Sequence, residues 1–155
     1  MPLEIERKFL VKNDRWKAHV QRTFSLKQGY LSDAAGATVR FRTKDQQGFL
    51  TIKGKTSGLT RTEFEYAIPY DDALAMLELC GSHPVEKQRH EVVFEGMLWE
   101  VDVFSAANDG LILAEIELLS EEQLFAVPEW LGEEVSHDAR YFNSQLSKQP
   151  YSTWP

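Results

Sequence analysis

Apolar and polar residues alternate with a period of two along much of the chain, which is typical of β-strands that bury one face. Over residues 3–10, apolar side chains face one way while Glu4, Glu6 and Lys8 face the other. The alternation recurs over residues 37–44, 49–55, 61–68, 98–104 and 111–119, and two less regular strands are predicted over 24–31 and 86–94. About eight mostly antiparallel strands are close to the number that closes a small barrel.

Turn signals separate several of these strands. Residues 45–48, 95–96 and 108–110 have the composition of hairpin turns, because glycine and asparagine tolerate a positive φ. The predicted helices are short. They comprise a turn over 13–19, an amphipathic helix over 71–80 that ends at Gly81, a capping box at 120–123, one turn over 128–131 and a last helix over 138–147.

The composition describes one ordinary globular domain. With 155 residues, 43% of them hydrophobic, the chain can bury a core, and no linker divides it. A single cysteine, Cys80, excludes a disulfide framework, and no apolar run is long enough to span a membrane. We therefore expect a cytoplasmic protein with no membrane partner. A net charge of −7 also argues against a nucleic-acid partner.

The charged residues of these strands are sorted by sign. Acidic pairs two residues apart occur at 63/65, 100/102 and 115/117, whereas Arg40 and Arg42, and Lys87 and Arg89, form basic pairs. Neighbouring carboxylates repel, which raises at least one pKa, and a divalent cation relieves that repulsion. Ligation by carboxylates alone suits Mg²⁺ or Mn²⁺ better than zinc. Basic pairs, in turn, suit the oxygens of a polyphosphate.

A count of these charges predicts that the metal is needed for substrate capture. Six basic and eight acidic side chains on the polar faces give a net charge of −2, which two divalent ions change to +2. The pattern fits two architectures equally well. One is a closed barrel with the charges inside and helices or a dimer partner covering its apolar outer face, and the other is an open sheet with a wet charged face.

A series of motifs in a fixed order resembles the CYTH, or triphosphate tunnel metalloenzyme, superfamily, in particular its compact bacterial members. The opening Glu4-Ile5-Glu6-Arg7-Lys8 matches the ExExK signature of that superfamily. Further matches begin at residues 28 (Gln-Gly-Tyr-Leu), 39 (Val-Arg-Phe-Arg), 50 (Leu-Thr-Ile-Lys-Gly), 63 (Glu-Phe-Glu), 87 (Lys-Gln-Arg), 100 (Glu-Val-Asp), 114 (Ala-Glu-Ile-Glu) and 138 (Asp-Ala-Arg-Tyr).

The resemblance favours the closed form: a mainly antiparallel β (α+β) fold whose eight-stranded closed barrel forms a charged tunnel, with short helices packed outside. It implies a CYTH domain over residues 1–148, a C-terminal tail over 149–155, and a monomer or homodimer. The implied metal ligands are Glu4, Glu6, Asp102, Glu115 and Glu117. The implied substrate-binding residues are Lys8, Arg40, Arg42, Lys53, Lys87 and Arg89.

The resemblance also implies two catalytic residues, Lys8 and Tyr30. Tyr30 resembles a residue with a proton-accepting role, but a tyrosine with a pKa of about 10 is a weak base at neutral pH. We therefore favour a water activated by the metal as the nucleophile, and orientation of the substrate as the alternative role of Tyr30. Glu63 and Glu65 either ligate metal or hold neighbouring basic side chains.

The function implied by the resemblance is hydrolysis of inorganic tripolyphosphate, or a related triphosphate, with Mg²⁺ or Mn²⁺ and release of orthophosphate. A class IV-type adenylate cyclase and a thiamine triphosphatase are alternatives within the superfamily. We place them second, because the short chain offers no obvious pocket for a base. A non-catalytic module that binds polyphosphate or nucleotides is the alternative from another class of protein. The carboxylate cluster argues against it, since a pure polyanion binder gains nothing from acidic side chains.

Overall fold

The fold is built almost entirely from antiparallel strands. The structure is a computed structural model that describes residues 2–31, 36–81 and 83–155. All eight predicted strands are present, together with a ninth that the pattern did not predict. The strands are β1 (Leu3–Val11), β2 (Val20–Tyr30), β3 (Thr38–Lys44), β4 (Gln47–Lys53), β5 (Thr60–Ile68), β6 (Val85–Phe94), β7 (Met97–Ser105), β8 (Ile112–Glu117) and β9 (Leu131–Glu134).

Strand β1 closes the barrel. One edge of β1 pairs with β8 over residues 6–10, and the other edge pairs with β5 over residues 3–5. The remaining pairs follow the order β5-β4-β3-β2-β6-β7-β8, so the eight strands form a complete ring. Strand β9 pairs with the far end of β1, at Phe9 and Val11, beyond the point where β5 leaves it. The closed barrel implied by the resemblance is confirmed, and the open sheet is excluded.

The barrel carries one of its two cores on the outside. Trp99 of β7 stacks edge-to-face on Phe9 of β1 and on Trp130, with ring centroids 5.7 and 5.6 Å apart. A 3-10 helix at Arg15–His19 adds the buried Trp16. Because the strands point these apolar side chains outward, their charged neighbours on alternate positions point into the barrel.

The second core fills part of one end of the barrel. Leu113, Phe104 and Val85 lie two positions from inward-facing charged residues, so they also face inward. They pack against Leu146, which is fully buried, in one apolar cluster. Leu146 belongs to helix α2 (Asn143–Lys148). The C-terminal segment therefore closes this end of the barrel interior.

Two predicted helices differ from the observed ones. Helix α1 spans Tyr70–Leu77 and packs across β3 and β4, so the prediction over 71–80 is right in type but begins one residue late and ends three residues late. Its Ala73 sits so close to Gly48 of β4 that a Cβ on Gly48 would lie 2.8 Å from the Ala73 Cβ. The predicted helix over 138–147 is split into a 3-10 turn and α2, because Phe142 between them has an extended conformation with ψ 133°.

Further local predictions were corrected or extended. No helix follows the predicted capping box, although the Gln123 side chain accepts a hydrogen bond from the Leu119 amide at 2.6 Å. The predicted tail, residues 149–155, packs on the barrel: Tyr151 and Trp154 join the second core, and the Tyr151 amide donates to Asn108. Among the described residues, no helix is both long enough and apolar enough to cross a membrane.

Candidate functional site

The barrel encloses a polar cavity of about 280 Å³. Alternation along the strands aims charged side chains into it from every strand of the ring except β2, which contributes the uncharged Gln28 and Tyr30. Of the residues predicted for the site, all but one line this cavity. They are Glu4, Glu6, Lys8, Tyr30, Arg40, Arg42, Lys53, Lys87, Arg89, Glu115 and Glu117. Asp102 does not.

The two signs of charge occupy different sides of the cavity. We call β3, β4 and β6, with β2 between β3 and β6, the basic wall. Its cavity-lining cations are Arg40, Arg42, Lys44, Lys53, Lys87 and Arg89. We call the run β7, β8, β1 and β5 the acidic wall. Its cavity-lining carboxylates are Glu4, Glu6, Glu63, Glu65, Glu100, Glu115 and Glu117, with Lys8 and Arg61 as the basic exceptions.

The charge balance predicted from sequence needs correction. Lys44 and Arg61 also line the cavity and Asp102 does not, so eight basic and seven acidic side chains of the described residues line it. Eight minus seven gives +1 when all of them are ionised, instead of the predicted −2. The metal-free cavity as a whole therefore does not repel a polyanion. Repulsion of a polyanion is confined to the acidic wall.

Two carboxylates of the acidic wall have no basic partner. Glu6 of β1 lies directly opposite Glu117 of β8 in the strand register. Within the described chain, no basic side chain comes within 4.0 Å of either one, whereas the other carboxylates on the cavity have such partners. Burial and the nearby Glu115 and Glu4 raise the pKa of Glu6 well above its usual range. Burial and the same kind of repulsion raise the pKa of Glu117.

Glu4 and Glu115 have cationic neighbours that offset their burial. Burial alone would raise the pKa of Glu4, but Lys53 at 3.1 Å and Arg61 at 3.3 Å lower it overall. Lys8 at 3.6 Å and Arg89 at 3.5 Å do the same for the pKa of Glu115, which also faces Glu100 across the β7–β8 register. These two carboxylates therefore stay ionised next to an uncompensated pair.

Asp102 is on the inward face of β7, but it does not line the cavity and is fully buried. One of its carboxylate oxygens accepts from Arg89 Nε at 2.8 Å and the other from Arg89 Nη2 at 2.9 Å. Lys87 Nζ is 2.7 Å from the same carboxylate. Burial would raise the pKa of Asp102, but the two cations lower it overall. Both oxygens are engaged, so this geometry favours a role in positioning Arg89 and Lys87 over metal ligation.

The charged groups of the basic wall are poorly hydrated because they are buried. Burial lowers the pKa of Lys87 to about 7, with Arg89 and Arg42 adding to the effect and Asp102 opposing it. Burial, followed by Arg40 and Arg89, lowers the pKa of Arg42 to about 9. An anion placed among these cations would replace their missing hydration and counter-charge. The wall is therefore suited to phosphate oxygens.

Glu63 and Glu65 form ion pairs with basic side chains of the cavity. Glu63 lies 3.3 Å from Lys53, and burial together with Glu4 raises its pKa to about 7. Glu65 lies 3.4 Å from Arg40 and accepts from the buried Thr51 hydroxyl at 3.1 Å. Of the two roles left open for this pair, the contacts favour the holding of Arg40 and Lys53.

The acidic wall fits a hard divalent cation by the chemistry of its donors. The half-buried Glu6 and the more exposed Glu117 lie opposite each other without counter-charge, and Glu4 and Glu115 adjoin them on the same two strands. Carboxylate oxygens, completed by water or phosphate oxygens, suit Mg²⁺ and Mn²⁺. Among the residues that the structure describes, no three acidic, histidine or cysteine side chains are already drawn together around one point. Binding would therefore have to draw these carboxylates closer together.

Several cavity residues escaped the sequence analysis as site residues. The C-terminal segment contributes Phe142 and Asn143: Lys8 lies 5.7 Å from the Phe142 ring and Lys87 donates to Asn143 Oδ1 at 2.9 Å. Gln28 was part of a matched motif without a role. The helix predicted over 138–147 gave no indication that Phe142 and Asn143 would line the cavity, because they follow β1 by more than 130 positions in the sequence. Only the inward position of Gln28, two residues before Tyr30, was readable from the alternation.

The chain is similar to known proteins over nearly its full length. A model of the CYTH domain matches residues 2–150. An inorganic triphosphatase of Acetivibrio thermocellus is 43% identical over 155 residues, 99% of each chain, and one of Nitrosomonas europaea is 36% identical over 148 residues, 93% of this chain and 96% of the other. A crystal structure of an inorganic triphosphatase superposes with a TM-score of 0.69 at 34% identity, covering 95% of both chains. The protein belongs to the CYTH domain family.

Proposed function

We propose that this protein is a divalent-metal-dependent triphosphatase that hydrolyses inorganic tripolyphosphate, or a related linear triphosphate, and releases orthophosphate. The observation that carries the proposal is the cavity itself, in which a buried basic wall faces a carboxylate pair that lacks counter-charge. The two inorganic triphosphatases that resemble the chain over at least 93% of its length support it.

The basic residues would bind the phosphate chain. In this proposal Lys8, Arg40, Arg42, Lys53, Lys87 and Arg89 donate to phosphate oxygens and neutralise their charge. The planar guanidinium groups can take two oxygens at once, whereas each lysine acts as a point charge. Burial of these groups raises the strength of each contact, because little water competes for them.

The carboxylates of the acidic wall would hold Mg²⁺ or Mn²⁺. We assign Glu6 and Glu117 as its principal ligands, with Glu4 and Glu115 next to them, and we assign Asp102 to the positioning of Arg89 and Lys87. A bound divalent cation polarises phosphoryl oxygens and lowers the pKa of water. The residues of this chain hold the triphosphate in line for attack and stabilise the charge that develops on the departing phosphate.

One observation favours hydrolysis of a triphosphate ester as the second candidate. A largely apolar groove of about 530 Å³, lined by Leu3, Ile5, Leu98 and Leu118 among others, adjoins the acidic wall and shares Glu100, Glu115 and Glu117 with it. The sequence analysis found no pocket for an organic group, and this groove could receive one. Thiamine triphosphate and ATP are therefore the competing substrates to test.

The deciding experiment compares phosphate release from tripolyphosphate, thiamine triphosphate and ATP, each with Mg²⁺, with Mn²⁺ and with a chelator. We expect tripolyphosphate to give the highest kcat/KM, with no turnover in chelator. Absence of release from all three substrates with either metal, from neutral to alkaline pH, would refute a triphosphatase. Formation of cyclic AMP from ATP would identify a cyclase, and binding of tripolyphosphate without turnover would identify a binding module.

A further inference from the structure

Gln28 links the basic wall to the C-terminal segment through hydrogen bonds at the end of the cavity where that segment packs. Its side chain lines the cavity and the residue is fully buried. Gln28 Oε1 lies 2.8 Å from Arg42 Nε, and its Nε2 lies 2.6 Å from the Tyr30 hydroxyl and 3.3 Å from Asn143 Oδ1. Asn143 Oδ1 in turn lies 2.9 Å from Lys87 Nζ. No role in the proposed reaction has yet been given to Gln28.

The direction of every hydrogen bond in this network follows from the Arg42 guanidinium. A guanidinium has only donors, so the amide atom of Gln28 that faces Arg42 must be the oxygen. The NH₂ group of Gln28 then faces Tyr30 and Asn143, both of which must accept. The atom of Asn143 that faces the Gln28 NH₂ group must likewise be its oxygen, and an amide oxygen only accepts, so Lys87 donates to it.

This polarity decides what Tyr30 and Asn143 present to the cavity. The Tyr30 oxygen accepts a hydrogen bond from Gln28, so its own hydroxyl hydrogen is free to point elsewhere, and Tyr30 lines the cavity. The oxygen of Asn143 is held by Gln28 and Lys87, which leaves its NH₂ group on the opposite side of the amide. Donors match phosphate oxygens, which only accept, whereas a proton acceptor at Tyr30 would repel them.

We propose that Gln28 is a positioning residue that orients the hydroxyl of Tyr30 and the amide of Asn143 as hydrogen-bond donors to the triphosphate. Tyr30 is then a substrate-binding donor and not a base. The inference rests on the proposed function, because the triphosphate receives these hydrogen bonds. It also places Gln28 and Asn143 among the residues that determine specificity for a chain of phosphate oxygens.

The variant Gln28→Glu keeps the shape of the side chain and its bond to Arg42 but removes its donor. The new carboxylate would accept the Tyr30 hydroxyl hydrogen and turn it away from the cavity. We expect kcat/KM for tripolyphosphate to fall by roughly tenfold or more, mainly through KM, which corresponds to loss of one or two hydrogen bonds. An unchanged KM in a folded variant would overturn the proposal.

A double-mutant cycle separates the lost donor from the added negative charge. In a Tyr30→Phe background there is no hydroxyl to reorient, so we expect Gln28→Glu to raise KM by clearly less than it does in the parent. Equal effects in both backgrounds would mean that the charge alone is responsible, and the positioning role would be wrong. Gln28→Met, which adds no charge and removes all three hydrogen bonds of the side chain, should also raise KM. A parental KM in that variant would contradict the proposal.

Gln88→Glu is the matched control. Gln88 lies on β6 between the inward-facing Lys87 and Arg89, so it faces outward, where it contacts Ser25 at 2.7 Å. The same change of charge there should leave KM and kcat as in the parent. Thermal unfolding checks that each variant is folded. Calorimetric titration with tripolyphosphate in chelator measures binding without turnover, so the proposal is tested even where hydrolysis is absent, and failure of the proposed function is seen separately.

Discussion

The basic and acidic walls of the cavity differ in how completely their side chains are satisfied. On the basic wall, Arg42 bonds to Gln28, Arg89 to Asp102, and Lys87 to both Asp102 and Asn143. On the acidic wall, Glu6 and Glu117 face each other without a basic partner among the described residues. The basic wall is held in place by hydrogen bonds before anything binds, whereas neighbouring carboxylates of the acidic wall repel one another.

This difference indicates which binding event has more to gain. Phosphate oxygens would add to a basic wall that is already oriented, so its members can partly replace one another. A divalent cation would remove a repulsion that nothing else in the described chain removes. We therefore expect single changes on the acidic wall to cost more activity, and changes on the basic wall to cost more substrate affinity.

The largest effect is expected at the unpaired carboxylates. Glu6→Gln keeps the shape of the side chain and removes the charge of a proposed metal ligand. We expect kcat/KM at limiting metal to fall by about a hundredfold or more, since even the loss of a side chain that only hydrogen-bonds to a metal ligand costs roughly 10–100-fold. Raised Mn²⁺, which binds such sites more tightly than Mg²⁺, should restore part of the activity. A kinetic profile like that of the parent would place the metal elsewhere.

The basic wall should respond less. Lys87→Ala or Arg42→Ala removes hydrogen bonds from a charged donor, each worth roughly 1.5–3 kcal/mol, so kcat/KM for tripolyphosphate should fall about tenfold to a hundredfold. The loss should appear mainly in KM, while the dependence on metal concentration stays as in the parent. A change in apparent metal affinity larger than that in KM would contradict the division between the walls.

Binding of tripolyphosphate should take up a proton through Lys87. Its pKa is lowered to about 7 in the free protein, so the amine is largely neutral above pH 7, and a bound phosphate raises that pKa. Affinity should consequently decrease as pH rises above 7. Calorimetry at pH 8 in buffers with different ionisation enthalpies measures the uptake. Glu63, whose pKa is also about 7, can add to it, and Lys87→Met should remove the lysine's share alone.

Stability without metal should move in the opposite direction to activity. Burial, Glu115 and Glu4 disfavour the ionised form of Glu6 and raise its pKa, so at a pH where Glu6 is ionised, Glu6→Gln should raise the free energy of unfolding by on the order of 1 kcal/mol in chelator. Mn²⁺ should raise the unfolding temperature of the parent more than that of the variant, because it binds the folded state. Urea unfolding with and without metal checks both statements. Destabilisation of the chelated variant would argue against stored repulsion.

The smallest effect is expected outside the barrel. Arg7 and Glu134 form an ion pair at 2.6 Å between β1 and β9, and both side chains are about one-third exposed or slightly less. Glu134→Gln should change the free energy of unfolding by less than about 1 kcal/mol and leave kinetics and metal dependence unchanged. It is therefore the control for Glu6→Gln, with the same substitution on neighbouring strands. A loss of activity in Glu134→Gln would mean that removing any negative charge near β1 lowers activity, so the effect of Glu6→Gln could not be assigned to a lost metal ligand.

The alternation of residues carried most of the strand prediction, and it also sorted the site. Because neighbouring side chains of a strand point to opposite faces, Glu4, Glu6 and Lys8 had to share a face, as did Arg40 with Arg42 and Lys87 with Arg89. This is a local property of the chain. The four-residue β9 was missed because it is too short to show a period, and Phe142 interrupted the last helix without a glycine or proline signal.

Closure of the barrel and the partners inside it depend on contacts between distant segments. The pattern fits an open sheet as well as a barrel, and only the pairing of β1 with β5, about 57 positions along the chain, decides between them. Asp102 has the sequence context of a cavity ligand, yet neighbouring strands bring Arg89 and Lys87 onto both of its oxygens. Gln28 and Asn143 meet across 115 positions. The sequence thus determined which residues face inward, whereas the register and tilt of the closed barrel decided which charges are paired and which carboxylates remain for a metal ion.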